Sequence, residues 1–364
     1  MSNPSLTPEA LPWAPLYSVT RAGQAEVTVY GLAFVWAEDK AAQNNSGLAL
    51  LRVGQTRTPL WSRSLLKPFQ LMVLYPTLKS AYPQLTPSHY AMFMASHQGD
   101  AEQLRLLREI IEIGGLSESA LQCPACGLKR TQNPQAISPL HHPCSGKHLA
   151  HLLYLKARGL PQDHYLQPDQ EPYTLLRELL RYLLYVDDIP ESVDGCGMPN
   201  LALSAVELAQ LYHALISPVT RDLIRQCPDE LTEILTDWNE IAALMQEYPA
   251  LIGGEGRLDS RLMQHRLPGQ NNQHPLPNII AKEGAEGLLC MAIGPNSQFR
   301  DGLGLLIKLS SGYNAAQLET LSQRVLSELG LAQELAQEEV PELSGSGMTE
   351  TIFHFSVQKA PQLA

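Results

Sequence analysis

Strand-forming runs sit near both ends of this chain, and helical periodicity fills the stretch between them. Val27–Trp36 alternates β-branched, aromatic and small residues and reads as a strand, with Leu48–Val53 as its partner and Asn44–Gly47 as the loop between. Near the other end, Asn278–Lys282, Gly287–Gly294 and Gly302–Leu309 read as a meander, with a turn starting at Pro295. Between the two clusters, Asp100 reads as the N-cap of a helix whose Leu104, Leu107, Ile110 and Ile111 share a face and which Gly114-Gly115 ends. Lys147–Arg158, Tyr173–Tyr185 and Ser204–Ile216 repeat that periodicity. This order does not fit the alternating strands and helices of a parallel doubly wound sheet. It predicts an α+β chain with one mainly antiparallel sheet built from both chain ends and a helical subdomain inserted. The expected division is a loose extension over 1–15, a sheet subdomain over 16–62 and 275–364, and a helical subdomain over 63–274. Ala315–Gln337 adds a helix, Thr351–Val357 an edge strand, and Gly269–Pro277 a polar loop.

With 364 residues, 44% of them hydrophobic and 17% charged, the chain is globular and large enough for a sizeable core. A net charge of −11 without a basic run lacks the footprint of a nucleic-acid binder and the polybasic patch of a membrane-surface protein. No apolar run reaches the roughly 18–20 residues of a membrane span. Met1–Pro15 has neither a basic n-region nor an apolar h-region, so a cytoplasmic setting is expected, with the six cysteines as thiols, metal ligands or core residues.

Four short segments carry residues suited to chemistry. In Arg63-Ser64-Leu-Leu-Lys67-Pro68, an apolar helix over Leu65–Leu74 follows a strand ending at Trp61, and Pro68 fits only its first turn. Ser64 then stands at the helix start with Lys67 one turn on, on the same face. A neutral lysine amine can activate a serine, and N–H groups at a helix start can stabilise an oxyanion. Such a lysine must be lowered by roughly 3 pK units, about 4 kcal/mol, through burial or neighbouring cations. The bare spelling is not unique, since Ser356-Val-Gln-Lys359 repeats it without a helix start. Lys282-Glu-Gly284 lies on a strand and reads either as an exposed edge lysine or as the strand lysine beside a nucleophile, where Gly284 would let a substrate approach the backbone. Ser96-His97, after a short helix Tyr90–Met94, reads as a turn serine or as a hydroxyl aimed into a cleft.

The fourth segment is paired: Cys144-Ser-Gly-Lys147-His148 opens a helix, and Asp194-Gly-Cys196-Gly-Met-Pro199 is a tight loop. Two thiols beside an amine or imidazole could bind zinc with a water, or they could be buried reduced thiols. Cys123-Pro-Ala-Cys126 could join them in a four-thiolate site, but the spacing is irregular.

In this order, the pieces resemble the bacterial asparaginase II-like family, the rhizobial-type asparaginases. The resemblance runs from about Tyr17 to Tyr313 and rests on Arg63-Ser64-Leu-Leu-Lys67-Pro68, Ser96-His97, Cys144-Ser-Gly-Lys147-His148, Gly253-Gly254 with Arg257, Asp194-Gly-Cys196-Gly-Met-Pro199 and Lys282-Glu-Gly284-Ala-Glu-Gly287. It implies a fold similar to serine β-lactamases and glutaminases, hydrolysis of L-asparagine to L-aspartate and ammonia, and a homodimer. It implies two Ser–Lys pairs, Ser64 with Lys67 and Ser96 with Lys282, and one zinc held by Cys144, Lys147 and Cys196. Arg63, His97, Asp194 and Gly284 are the implied substrate-binding or supporting positions. The sequence departs from the family pattern at Val27–Val29, Gln103 and Lys129. The competing readings are another Ser-x-x-Lys acyl hydrolase (a glutaminase, an esterase or a penicillin-recognising enzyme) and a non-catalytic relative that binds zinc or a small molecule.

Overall fold

A computed structural model of the chain describes residues 11–37, 47–127, 137–217, 226–264, 279–296, 298–331 and 349–358. Twelve strands are described: β1 Ala14–Arg21, β2 Gln24–Ala37, β3 Leu48–Val53, β4 Leu60–Trp61, β5 Cys126–Gly127, β6 Ile137–Ser138, β7 Glu191–Val193, β8 Pro199–Leu203, β9 Ile279–Gly284, β10 Leu288–Ile293, β11 Leu303–Leu309 and β12 Thr349–Phe353. Seven of them form one sheet in the order β12-β1-β2-β11-β10-β9, with β3 also on β2, and every pairing is antiparallel. The sheet is thus drawn from both chain ends, and the architecture is α+β.

Local chemistry explains its hairpins. Ala22 and Gly23 both have positive φ (50° and 80°), which matches the right-handed twist of β1 and β2. β2 runs for 14 residues because it changes partner: Gln24–Gly31 pairs with β1 and Ala33–Ala37 with β3. β9 and β10 are buried at every position; β10 accordingly reads as an apolar run rather than alternation, while β9 carries Lys282 and Glu283 into the interior. One covering element is α6 (Ala205–Ile216), capped by the Ser204–Glu207 capping box. It lies so close to β11 that a Cβ on Gly304 would stand 1.9 Å from the Ala209 carbonyl oxygen.

The helical block includes α1 (Lys67–Ala81), α2 (Pro87–Met94), α3 (Ala101–Gly114), α4 (Ser145–Ala157) and α5 (Glu171–Leu184). α3 begins at Asp100, whose carboxylate accepts from Gln103 N, and ends at left-handed Gly115, as its sequence predicts. α1 runs seven residues beyond the expected Leu74, straight through Pro76. One lost backbone hydrogen bond is outweighed there by the buried Tyr75 and Leu78 on either side. α2 begins three residues early, because Thr86 caps it reciprocally with His89. The C-terminal helix is described over Ala315–Glu328 and ends before Gly330; the predicted segment beyond 331 lies outside the described residues, as do the loop 269–277, residues 1–10, Lys129 and Lys359. Ala14 and Pro15, expected within the loose extension, already belong to β1. Among the described residues, no helix is long and apolar enough to cross a membrane.

Candidate active site

The short strand β4 pairs with β8 through Leu60↔Leu203 and Trp61↔Ala202, and Ser62 N continues the contact by donating to Leu201 O. That pairing lays the turn after β4 beside the loop before β8. The turn is a 3-10 helix, Arg63–Leu66, which runs directly into α1. Ser64 therefore sits just before the α-helix proper. Arg63 has φ +51°, a left-handed conformation that costs energy for a side chain of this kind. Two contacts hold it: its backbone N donates to Asn200 Oδ1 at 3.0 Å, and its Nε stands 2.7 Å from Asp194 Oδ1. Asp194 also accepts from Gly195 N, closing the loop that presents Cys196.

Ser96 and His97 follow α2. The segment is pinned by Ser96 N on Ile252 O and His97 N on Pro143 O. Lys67 is fully buried at the start of α1, and its amine reaches this segment. It donates to the Ala95 carbonyl and stands 3.0 Å from Ser96 Oγ. Burial brings Lys67 down to about 8, and the Lys147 and Lys282 amines push the same way, partly offset by Cys144. His97 does not face the cleft. It is buried, bonded through Nε2 to Ser145 Oγ at 2.8 Å, and brought down to about 3 by burial and by Lys67.

Lys282 is also fully buried, at the β9 end of the site. Its amine is 3.0 Å from Asp259 Oδ2 and 3.3 Å from Glu283 O. Against burial, Lys282, the Glu283 N–H and Arg257 hold Asp259 below the ordinary carboxylate value. The structure thus joins Ser96 to Lys67 and gives Lys282 a carboxylate partner, where the resemblance pairs Ser96 with Lys282. A third charged group stands alongside. Glu283 Oε2 accepts from Arg257 Nε at 2.9 Å and Glu283 Oε1 from the Tyr313 hydroxyl at 2.7 Å, while the Arg257 guanidinium lies over the Tyr313 ring.

These elements enclose a cleft of about 360 Å³. Ser64, Ser96, Arg63, Asp194, Cys144, Cys196, Arg257, Glu283, Gly284 and Tyr313 are on its walls. A larger cavity of about 630 Å³ lies elsewhere, between β1, β3 and the segment 354–358, with none of these groups on it. Ser356 lies there, exposed and away from any helix start.

Cys144, Lys147 and Cys196 converge under one wall. Cys144 is held well below the ordinary thiol value, first by a hydrogen bond from Cys196, then, against burial, by the Lys67 and Lys147 amines. Cys196 is pushed up by the same bond and by burial. Lys147 is raised: burial opposes its charge, and Cys144, Cys196 and Asp194 outweigh it. Asp194 Oδ2 lies 3.9 Å from both Lys147 Nζ and Cys196 Sγ. Among the described residues, no group of three or more His, Cys, Asp or Glu side chains could hold a metal. The two buried thiols are soft donors of the kind zinc accepts, and the Lys147 amine would add a nitrogen only on losing its proton. Cys123 is buried and bonded to Pro139 O instead.

Sequence reasoning passed over Asp259, Glu283 and Tyr313. Asp259 had a legible signal: a buried strand lysine needs a counter-charge, and Asp259 lies two residues after Arg257 in a motif read only for its glycines and arginine. Glu283 lies inside the Lys282–Gly287 motif, but nothing in its spacing distinguishes it from a solvated strand residue.

Two serines on a polar cleft, one bonded to a buried lysine of lowered proton affinity, define an amidohydrolase of the serine–lysine type. The chain belongs to the L-asparaginase II family, whose sequence profile matches residues 18–352. No curated protein compared with the chain matches it. Solved structures that overlap it include a Bacillus glutaminase (15% identity, 83% of this chain and 92% of that one, TM-score 0.37). A probable glutaminase from Bacillus subtilis complexed with 6-diazo-5-oxo-L-norleucine overlaps at 13% identity, 87% and 90% coverage and TM-score 0.36. A Bacillus subtilis glutaminase in covalent complex with 5-oxo-L-norleucine does so at 13%, 83% and 89%, and 0.37. Overlap this loose carries no argument about activity.

Proposed function

We propose that the protein hydrolyses L-asparagine to L-aspartate and ammonia. The observation that carries the reading is the buried Lys67 amine held on Ser96 Oγ, with Ser64 and Ser96 on one cleft, in a chain of the L-asparaginase II family. The cleft has room for a small amino acid, and its walls bear both signs of charge, Arg63 and Arg257 against Asp194 and Glu283, as a zwitterion requires.

In this reading, Ser64 Oγ attacks the side-chain amide carbon and Lys67 takes its proton. The C–N bond breaks, Lys67 returns the proton to the leaving nitrogen, and ammonia departs from an acyl ester on Ser64. Water then attacks that ester, with Lys67 again as base, releasing aspartate and restoring the hydroxyl. Ser96 holds the lysine in place for both transfers, and the Ser64 N–H, beside the Arg63 N–H already bound to Asn200, is the donor nearest the oxyanion.

The proposal includes one zinc held by Cys144, Lys147 and Cys196, a homodimer and a cytoplasmic setting. Bound there, the metal would supply positive charge beside the cleft, and Lys147 would give up its proton to coordinate. The asparagine reading is tested by ammonia release from L-asparagine and L-glutamine side by side; preference for glutamine overturns it. Metal content decides the zinc: Cys144→Ala with Cys196→Ala should lose one equivalent, and an unchanged content removes the site.

A further inference from the structure

We infer that Asp259 is a positioning residue of this site, whose carboxylate fixes Lys282 as the resident cation and so leaves proton transfer to Lys67. The inference rests on the amidohydrolase reading above and assigns different work to the two lysines. Asp259 stands near the start of the short helix Leu258–Gln264 and is fully buried. Oδ2 accepts from Lys282 Nζ at 3.0 Å and from Glu283 N at 3.1 Å; Oδ1 accepts from Ser260 N at 3.0 Å. Both oxygens are satisfied, and one of them ties the carboxylate to the backbone of β9 next to the lysine itself. The opposite wall is cut away to seat it. A Cβ on Gly253 would stand 2.2 Å from Asp259 Oδ1 and 2.4 Å from Ser260 Oγ, so a side chain there would displace the carboxylate.

The partners of the two amines separate their roles. A carboxylate partner favours an ammonium, because a buried anion needs a counter-charge. A carbonyl and a hydroxyl, which are what Lys67 has, serve a neutral amine equally well. Among the described residues Lys67 has no carboxylate partner; burial opposes its protonation, the Cys144 thiol offsets that only in part, and the Lys147 and Lys282 amines add to the repulsion. The other ionisable groups facing the Asp259–Lys282 pair are Arg257, Glu283, Tyr212 and Tyr313. Arg257 and Glu283 neutralise each other at 2.9 Å. The net effect is one fixed cation at the β9 wall and one amine free to cycle.

The test compares Asp259→Asn, Asp259→Glu and Lys282→Met in the full chain, with folding checked by circular dichroism. Asp259→Asn keeps the shape and removes the charge. Its kcat should fall roughly 10²-fold with KM changed less than about threefold, because the reacting groups lose their placement and the substrate contacts remain. Asp259→Glu, which keeps the charge, should recover at least about tenfold of the kcat lost in Asp259→Asn. Asp259→Asn added to Lys282→Met should cost less than about twofold further, as expected of two groups acting as a unit. A merely structural Asp259 would lower the yield of folded protein and leave the kcat of the folded remainder in place, and that result overturns the inference. If Asp259→Asn does not fold, Asp259→Glu decides alone: a kcat as low as that of Lys282→Met there also overturns it. Turnover is read with L-asparagine and acylation with a p-nitrophenyl ester. Acylation without ammonia release from asparagine sinks the asparagine reading only, and the same variants are then compared on the ester; a wild type inactive on both sinks both.

Discussion

Lys67 and Lys282 are both fully buried, and both belong to one site, yet their surroundings share almost nothing. Lys67 sits at the first turn of α1 among a carbonyl, a hydroxyl and two other amines, with the Cys144 thiol offsetting its burial only in part. Lys282 sits on a strand against Asp259, which is itself locked to the same strand. Burial alone is therefore a poor guide to what a lysine does. The first environment penalises charge and suits a residue that must pick up and drop a proton; the second demands charge and suits one that must keep it.

The sharpest way to break this comparison is to remove each side's working group. Ser64→Ala and Lys67→Met should each lower turnover on the order of 10⁴-fold or more while the protein stays folded, because each removes a partner in the covalent step. Lys282→Met should cost less, roughly 10²- to 10³-fold, since an electrostatic contribution is lost and the base remains. Steady-state ammonia release on folded variants measures both. Equal losses at Lys67 and Lys282 would mean that the two lysines share the proton.

The positions of the two lysines are legible in the sequence, and the difference between their partners is not, for a physical reason. Pro68 placed the helix start after Ser64, and the strands at both chain ends placed Lys282 on the sheet. The sequence leaves Ser96 either a turn serine or a hydroxyl aimed into a cleft. Partner choice was not legible. Ser64 and Lys67 are three residues apart, which invites a local pair, but the amine leans instead toward Ser96, 29 residues away, because the Ala95 carbonyl lies there to receive it. Asp259 reaches Lys282 only through the packing of a short helix on β9, a contact that no periodicity encodes.

Stability offers a second separation. Asp259→Asn leaves a buried cation without its counter-charge and should cost about 3–5 kcal/mol in urea unfolding. Lys67→Met replaces a buried amine by an apolar side chain of similar length and should be neutral or stabilising near pH 7. The sign follows from proton binding. With Lys67 at about 8 in the folded chain against an ordinary 10.5, the folded state carries the cost of the charge below pH 8. Between 8 and 10.5 the unfolded chain binds more protons, so stability should rise with pH across that window and level off above it. The rise should be absent in Lys67→Met. Activity should follow the same group: kcat/KM should fall about tenfold per unit as pH drops below about 8, since only the neutral amine accepts a proton. An acid limb that persists in Lys67→Met, at its low residual rate, would assign the titration to another group.

The smallest expected effect lies at the rim of the Lys282 side and tests where that side's catalytic part ends. Glu283 neighbours Lys282 in sequence, but its carboxylate is turned to Arg257 and to the Tyr313 hydroxyl, with no bond to the lysine amine. Tyr313→Phe removes one neutral donor from Glu283 Oε1 and leaves the 2.9 Å contact from Arg257 and the guanidinium over the ring in place. A lost hydrogen bond at a half-open position is worth about 1 kcal/mol, or roughly a fivefold change. If Glu283 and Arg257 only hold the charged end of the substrate, that loss is felt equally in the ground and transition states. KM should then rise a few-fold with kcat unchanged. A fall in kcat matching that of Asp259→Asn would mean that Glu283 and Asp259 act as one unit on Lys282, and that the boundary between the binding wall and the fixed cation lies beyond Tyr313.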